Sequence, residues 1–85
     1  MQQTIEVWLE NKPGALMRVA GILTAKGGNI TFLKLETDET RPAISHILLV
    51  ADVETRLQAK VVKEINRLVN VLKVVDVSDK GRLAC

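Results

Sequence analysis

Asn11-Lys12-Pro13-Gly14-Ala15-Leu16-Met17-Arg18-Val19 divides a two-residue periodicity from a helical one, and the fold follows from that division. Before it, Thr4-Ile5-Glu6-Val7-Trp8-Leu9 alternates, with Ile5, Val7 and Leu9 on one face and Thr4, Glu6 and Trp8 on the other. Such alternation predicts a strand with one face packed on a core. Pro13 presets a backbone angle suited to a first helical turn, and Asn11 is placed to cap. Beyond Ala15, the spacing of Leu16, Val19, Ala20, Ile22 and Leu23 predicts an amphipathic helix. Lys26-Gly27-Gly28 ends it, with a cation in the last turn and a glycine free to turn left-handed.

Asn29 to Thr37 reads as a second strand, and Thr37-Asp38-Glu39-Thr40-Arg41-Pro42 as a polar hairpin connection. Residues 43–51 form a third, strongly apolar strand. From about Val53, the residues Leu57, Val61, Val62, Ile65, Leu68 and Val69 mark a second amphipathic helix, and residues 71–77 a last, β-branched strand. The order β-α-β-β-α-β predicts a four-stranded antiparallel sheet with both helices on one face. Such a sheet should alternate cleanly, yet the third strand places Ile44, Leu48 and Val50 on one face and Ile47, Leu49 and Ala51 on the other. Trp8 also points away from the Ile5/Val7/Leu9 face. Leaving a second apolar face in water costs about 25 cal/mol per Å², so another domain or subunit is expected to cover it.

Composition narrows the function classes. At 85 residues the chain supports one domain, small enough that association with a second copy is expected. Hydrophobic residues make up 47%, too many for a disordered chain, but no apolar run approaches a membrane span. Met1-Gln2-Gln3-Thr4 carries no secretory pattern, and Cys85 has no second cysteine to pair with, so a cytoplasmic setting is expected. Twelve basic and ten acidic residues are interspersed, and Trp8 and Phe32 are the only aromatics. That pattern speaks against nucleic acid as a partner.

Two junctions can carry binding chemistry. Gly14 opens the first helix, whose unpaired N–H donors and positive dipole end favour a carboxylate. With no side chain at Gly14, the amides of Ala15 and Leu16 are expected to donate to a ligand. Asn29, following Gly28, has an amide that both donates and accepts. Either junction alone also fits a plain helix end. His46 has no second histidine or cysteine nearby, so no metal site is expected. Ser45 and His46 are neighbours on opposite strand faces and cannot act as nucleophile and base. Asp38 and Glu39 sit in a solvated turn, and Gly27-Gly28 lacks the Lys-Ser/Thr of a phosphate loop. No catalytic residue is identified.

These residues resemble a known family. Residues 9–22, Gly27-Gly28-Asn29-Ile30, and Ile65-Asn66-Arg67-Leu68-Val69-Asn70-Val71-Leu72-Lys73-Val74 are similar to the ACT domain of the small regulatory subunit of acetohydroxyacid (acetolactate) synthase. The last segment matches that group's Leu-Val-Asp-Val passage from helix to strand. The resemblance implies an α+β, ferredoxin-like βαββαβ ACT domain over residues 3–78, with 79–85 as a polar tail. It further implies a non-catalytic subunit without a cofactor, pairing as a homodimer through second-strand edges into an eight-stranded sheet. A branched-chain amino acid, chiefly valine, is then held between copies as feedback inhibitor. Asn11, Gly14, Ala15 and Leu16 come from one chain, and Asn29 and Ile30 from its partner. The other partner implied is the large, thiamine-diphosphate-dependent catalytic subunit, for which the second apolar face with Trp8 and Ile47 is the candidate contact. Departures are Ser45-His46, where relatives commonly have Ser-Arg, and Glu36-Thr37-Asp38, where they have a proline-threonine turn. The chain also stops where most relatives continue into a second domain. The alternatives are a free-standing ACT amino-acid sensor for another enzyme or regulator, or a structural subunit that binds no ligand.

Overall fold

The computed structural model describes residues 1–78; the predicted tail over 79–85, with Cys85, lies outside them. Six elements follow in the predicted order: β1 (Gln2–Glu10), α1 (Ala15–Ala25), β2 (Asn29–Thr37), β3 (Ile44–Asp52), α2 (Thr55–Asn66) and β4 (Val71–Asp76). The strands form one antiparallel sheet in the order β2-β3-β1-β4, so β1 and β3 are central and β2 and β4 are edges.

Strand parity sets the core. Ile5, Val7 and Leu9 of β1 and Ile47, Leu49 and Ala51 of β3 turn to the helices and are almost wholly buried. They meet Ala15, Val19 and Leu23 of α1 and Val61 and Ile65 of α2, which places both helices on one face. Gln3 shares this row at 1% exposure, because its Nε2 donates to Gln58 O at 2.9 Å and to Asp76 Oδ2 at 3.0 Å.

Three expectations need correction. Ile47 does not lie beside Trp8: in register it faces Val7, while Trp8 faces His46. Ile47 is therefore core, fully buried under the helices, and takes no part in the second face. The second helix begins at Thr55, not at Val53, and ends at Asn66. Val53 is buried before the helix starts, and Leu68 lies in a tight turn whose N–H donates to Ile65 O at 3.0 Å. Val69, read as part of the apolar stripe, is 90% exposed. Asn11 does not cap α1; its side chain donates to Pro42 O at 3.3 Å and its amide to Ala43 O at 2.7 Å, tying the loop to the β2–β3 connection.

The end of α1 has the expected left-handed glycine, but the expected last-turn cation is absent: Lys26 falls at the C-cap, one residue past the helix. The amides of Lys26, Gly27 and Gly28 close on carbonyls of the last turn, with Gly27 at φ 74°. A Cβ at Gly28 would stand 2.9 Å from Leu23 O, so the strand leaves the helix with no room for a side chain. Lys26 Nζ reaches Glu64 Oε2 at 2.6 Å and ties α2 to this corner. The hydrogen bond from Lys26, helped by its charge, holds the Glu64 carboxyl below the usual carboxylate range. A carboxyl lowered in the folded state stabilises above its unfolded value, about 4.3, and that gain is lost as pH falls through the folded value. Thermal melts of Glu64→Gln should therefore fall below wild type at about pH 7 and converge with it as the pH falls through the lowered folded value. A difference that is constant with pH contradicts this role.

Candidate effector site

The site starts from the backbone at Gly14. Gly14 is the N-cap of α1 at φ 82°, a left-handed conformation that side-chain-bearing residues adopt at a cost, and no side chain caps the helix. The Ala15 amide, expected to be available, donates to Lys12 O at 3.1 Å, because the left-handed turn folds it back on the loop. The amides of Leu16 and Met17 are left without a partner among the described residues. Arg18 reinforces the positive end: its Nη1 donates to Asn70 Oδ1 at 2.9 Å, and a Cβ at Gly14 would lie 3.5 Å from its Nη2. Asn70 Nδ2 in turn donates to Glu10 Oε1 at 3.3 Å, so the guanidinium is held beside the loop.

Beside this helix start is a hollow of about 80 Å³. Leu9, Ala15, Leu16 and Leu35 form its apolar wall, with Glu10, Asn11, Lys12 and Ser45 around it. It has room for two or three waters at about 30 Å³ each, far short of the roughly 300 Å³ of a ligand pocket. Leu35 belongs to β2, whose outer edge has no strand partner among the described residues. The hollow therefore stands beside an edge strand of the sheet.

Asn29 and Ile30 are elsewhere. They begin β2 at the far end of α1 and pair with Asp52 and Ala51, whereas the hollow adjoins Ser45 at the opposite end of β3. An eleven-residue α1 separates the two groups by about 16 Å. One chain brings Asn11, Gly14, Ala15 and Leu16 together and does not bring Asn29 and Ile30 to them.

The sequence pattern of the AHAS small subunit-like ACT domain matches residues 5–73. The chain belongs to this family. Among relatives, the Archaeoglobus fulgidus protein named "Probable acetolactate synthase small subunit" is 37% identical over 81 residues, covering 95% of this chain and 50% of that protein. The acetolactate synthase small subunit of Mycobacterium avium is 36% identical over 76 residues, covering 89% and 45%. This ACT domain thus spans about half the length of the curated relatives it matches. The crystal structure of the acetolactate synthase small subunit from Thermotoga maritima superposes with a TM-score of 0.74 at 24% identity, over 89% of this chain and 47% of that one. At that identity the superposition speaks for the fold.

The face of the ACT domain's sheet away from its helices carries a second cluster. The Trp8 and His46 rings lie 4.7 Å apart between centroids, and Lys73 Nζ stands 5.3 Å over the indole. A bulge at Leu72 between the Trp8 and Leu9 pairings aligns Lys73 with Trp8. His46 Nε2 is 3.2 Å from Glu6 Oε1 without hydrogen-bonding geometry. The apolar residues Ile44, Leu48 and Val50 on this face are only half-buried. No group of three or more metal-ligating side chains and no helix able to span a membrane occurs among the described residues.

Ser45 and Leu35 line the hollow and Arg18 stands beside Gly14, although the sequence reading names none of them as a candidate. The odd position of Ser45 in β3 puts a hydroxyl in a row otherwise made of Ile47, Leu49 and Ala51. Leu35 shares the helix-facing parity and was legible as an edge residue. Nothing in the sequence separates Arg18 from the other dispersed cations.

Proposed function

We propose that this ACT domain is a non-catalytic regulatory module of an acetohydroxyacid (acetolactate) synthase small subunit, and that two copies hold a branched-chain amino acid, valine foremost, between them. The observation that carries this is the hollow lined by Leu35 at the edge strand β2. Leu33 and Leu35 face the helix side, opposite the buried Leu49 and Ile47, yet remain 38% and 46% exposed. A nine-residue edge strand with such side chains is a template for strand addition.

Antiparallel pairing about Leu33, the middle of β2, sets Asn29 of one copy opposite Thr37 of the partner subunit. Thr37 adjoins Ser45 in register, so Asn29 and Ile30 arrive beside the other copy's hollow. The Leu16 and Met17 amides and the Arg18 charge then favour the effector's carboxylate, the partner's Asn29 offers an acceptor for its ammonium, and Leu9, Leu16 and Leu35 receive an aliphatic side chain. Two such sites form per pair. The effector acts through its preference for one arrangement of the paired domains over another, since only differential affinity shifts an equilibrium. The Trp8/His46/Lys73 face, opposite the helices, is left to meet the thiamine-diphosphate-dependent catalytic subunit.

Titration calorimetry with L-valine, L-leucine and L-isoleucine, combined with copurification from cells expressing the catalytic subunit, tests this. Binding of at least one amino acid together with recovery of a thiamine-diphosphate enzyme is the expected result. Recovery without any binding heat leaves the structural subunit, and binding without recovery leaves the free-standing sensor.

A further inference from the structure

We propose that Ser45 is a ligand-contacting residue of the effector site, its hydroxyl donating to the carboxylate drawn to the first turn of α1. This rests on the effector reading above. Ser45 is 2% exposed, and its buried Oγ has no hydrogen-bond partner among the described residues. A buried hydroxyl left unpaired is unfavourable, and native proteins rarely retain one without use. Its strand neighbours in register are Leu9 and Thr37, and the rest of its row is Ile47, Leu49 and Ala51. None of these supplies the missing partner.

The position gives the hydroxyl its role. Ser45 lines the same hollow as Leu16, whose own amide is unpaired. Glu10, which lines the same hollow, is engaged: its Oε1 takes a hydrogen bond from Asn70 and its Oε2 faces Lys12 Nζ at 3.6 Å. The wall therefore presents donors from the helix turn and from Ser45, beside a Glu10 carboxylate already engaged by Asn70 and Lys12. A carboxylate accepts from several donors at once, and hydrogen bonds to a charged acceptor are the stronger kind. The hydroxyl, free to rotate about its single χ bond, completes from β3 the cradle that α1 begins.

Ser45→Ala removes the hydroxyl with little change of volume, so it separates binding from folding. The full chain and this variant are compared by titration calorimetry with L-valine, L-leucine and L-isoleucine, and by ligand-free thermal melts. Expected is an affinity weaker by roughly tenfold, about what one hydrogen bond to a charged group supports, with an unliganded Tm equal to or above wild type. Equal affinities in wild type and variant overturn the role of Ser45 while leaving the effector site standing. A variant Tm lower by several degrees without ligand shows that the hydroxyl serves the fold, and also overturns it. Absence of binding by wild type itself overturns the effector reading, and this inference with it.

Discussion

Replacing Gly14 by aspartate is expected to weaken the proposed amino-acid binding by at least about a hundredfold while leaving the domain folded. The left-handed backbone at φ 82° costs a side-chain-bearing residue about 1–2 kcal/mol, and aspartate is among those that tolerate it best. The new Cβ meets only the end of the Arg18 side chain, at 3.5 Å, an ordinary contact with a flexible group. Aspartate is also a favoured N-cap, worth about 1 kcal/mol to a helix that has no side-chain cap here, so strain and capping nearly offset. Binding is affected differently. The introduced carboxylate occupies the Leu16 and Met17 amides and the Arg18 charge, and it repels a second carboxylate. Two like charges about 4 Å apart near a protein surface repel by about 4 kcal/mol, more than the roughly 2.7 kcal/mol that a hundredfold represents. Calorimetry with L-valine and a thermal melt check both halves. Unchanged affinity would remove the α1 terminus from the site.

On the proposed pairing, Leu33→Asp is expected to convert the pair to single copies and to abolish effector binding with it. In antiparallel pairing about its own position, residue 33 faces its symmetry mate, so one substitution sets two carboxylates across from each other. Like charges directly opposite in a sheet destabilise it, and the burial of two leucines is lost as well. Leu33 is already 38% exposed in the single chain, so the isolated fold tolerates the change. Sedimentation velocity should show the variant at half the wild-type mass, with unchanged circular dichroism. A variant that stays paired would place the contact elsewhere than β2.

The elements were legible because each carries its own period. Ile5/Val7/Leu9 and Val19/Leu23 read directly as a strand face and a helix stripe, and the apolar density of β3 on both faces was also apparent. What the pattern could not convey was partnering across strands. Trp8 and Ile47 looked alike as surplus hydrophobes, but Val7 faces Ile47, so the two lie on opposite sides of the sheet. Val53 fits the helical spacing while packing as a lead-in to α2, because burial alone does not distinguish a helix from the turn that enters it. For the site, the residue types at Asn11, Gly14, Ala15, Leu16, Asn29 and Ile30 were visible, and pairing through second-strand edges was implied by the family resemblance; the sheet order adds that β2 is an edge strand. Hydrogen-bond accounting was out of reach of the sequence. It removed the Ala15 amide, turned Asn11 into a loop tether and exposed the unpaired Ser45 hydroxyl.

Sedimentation equilibrium of the wild-type chain at micromolar concentration, with and without L-valine, tests the joining of two copies at β2 most directly. The predicted result is twice the chain mass, with valine tightening the association because it contacts both copies at once. A single-copy mass at every concentration, unmoved by valine, would contradict it.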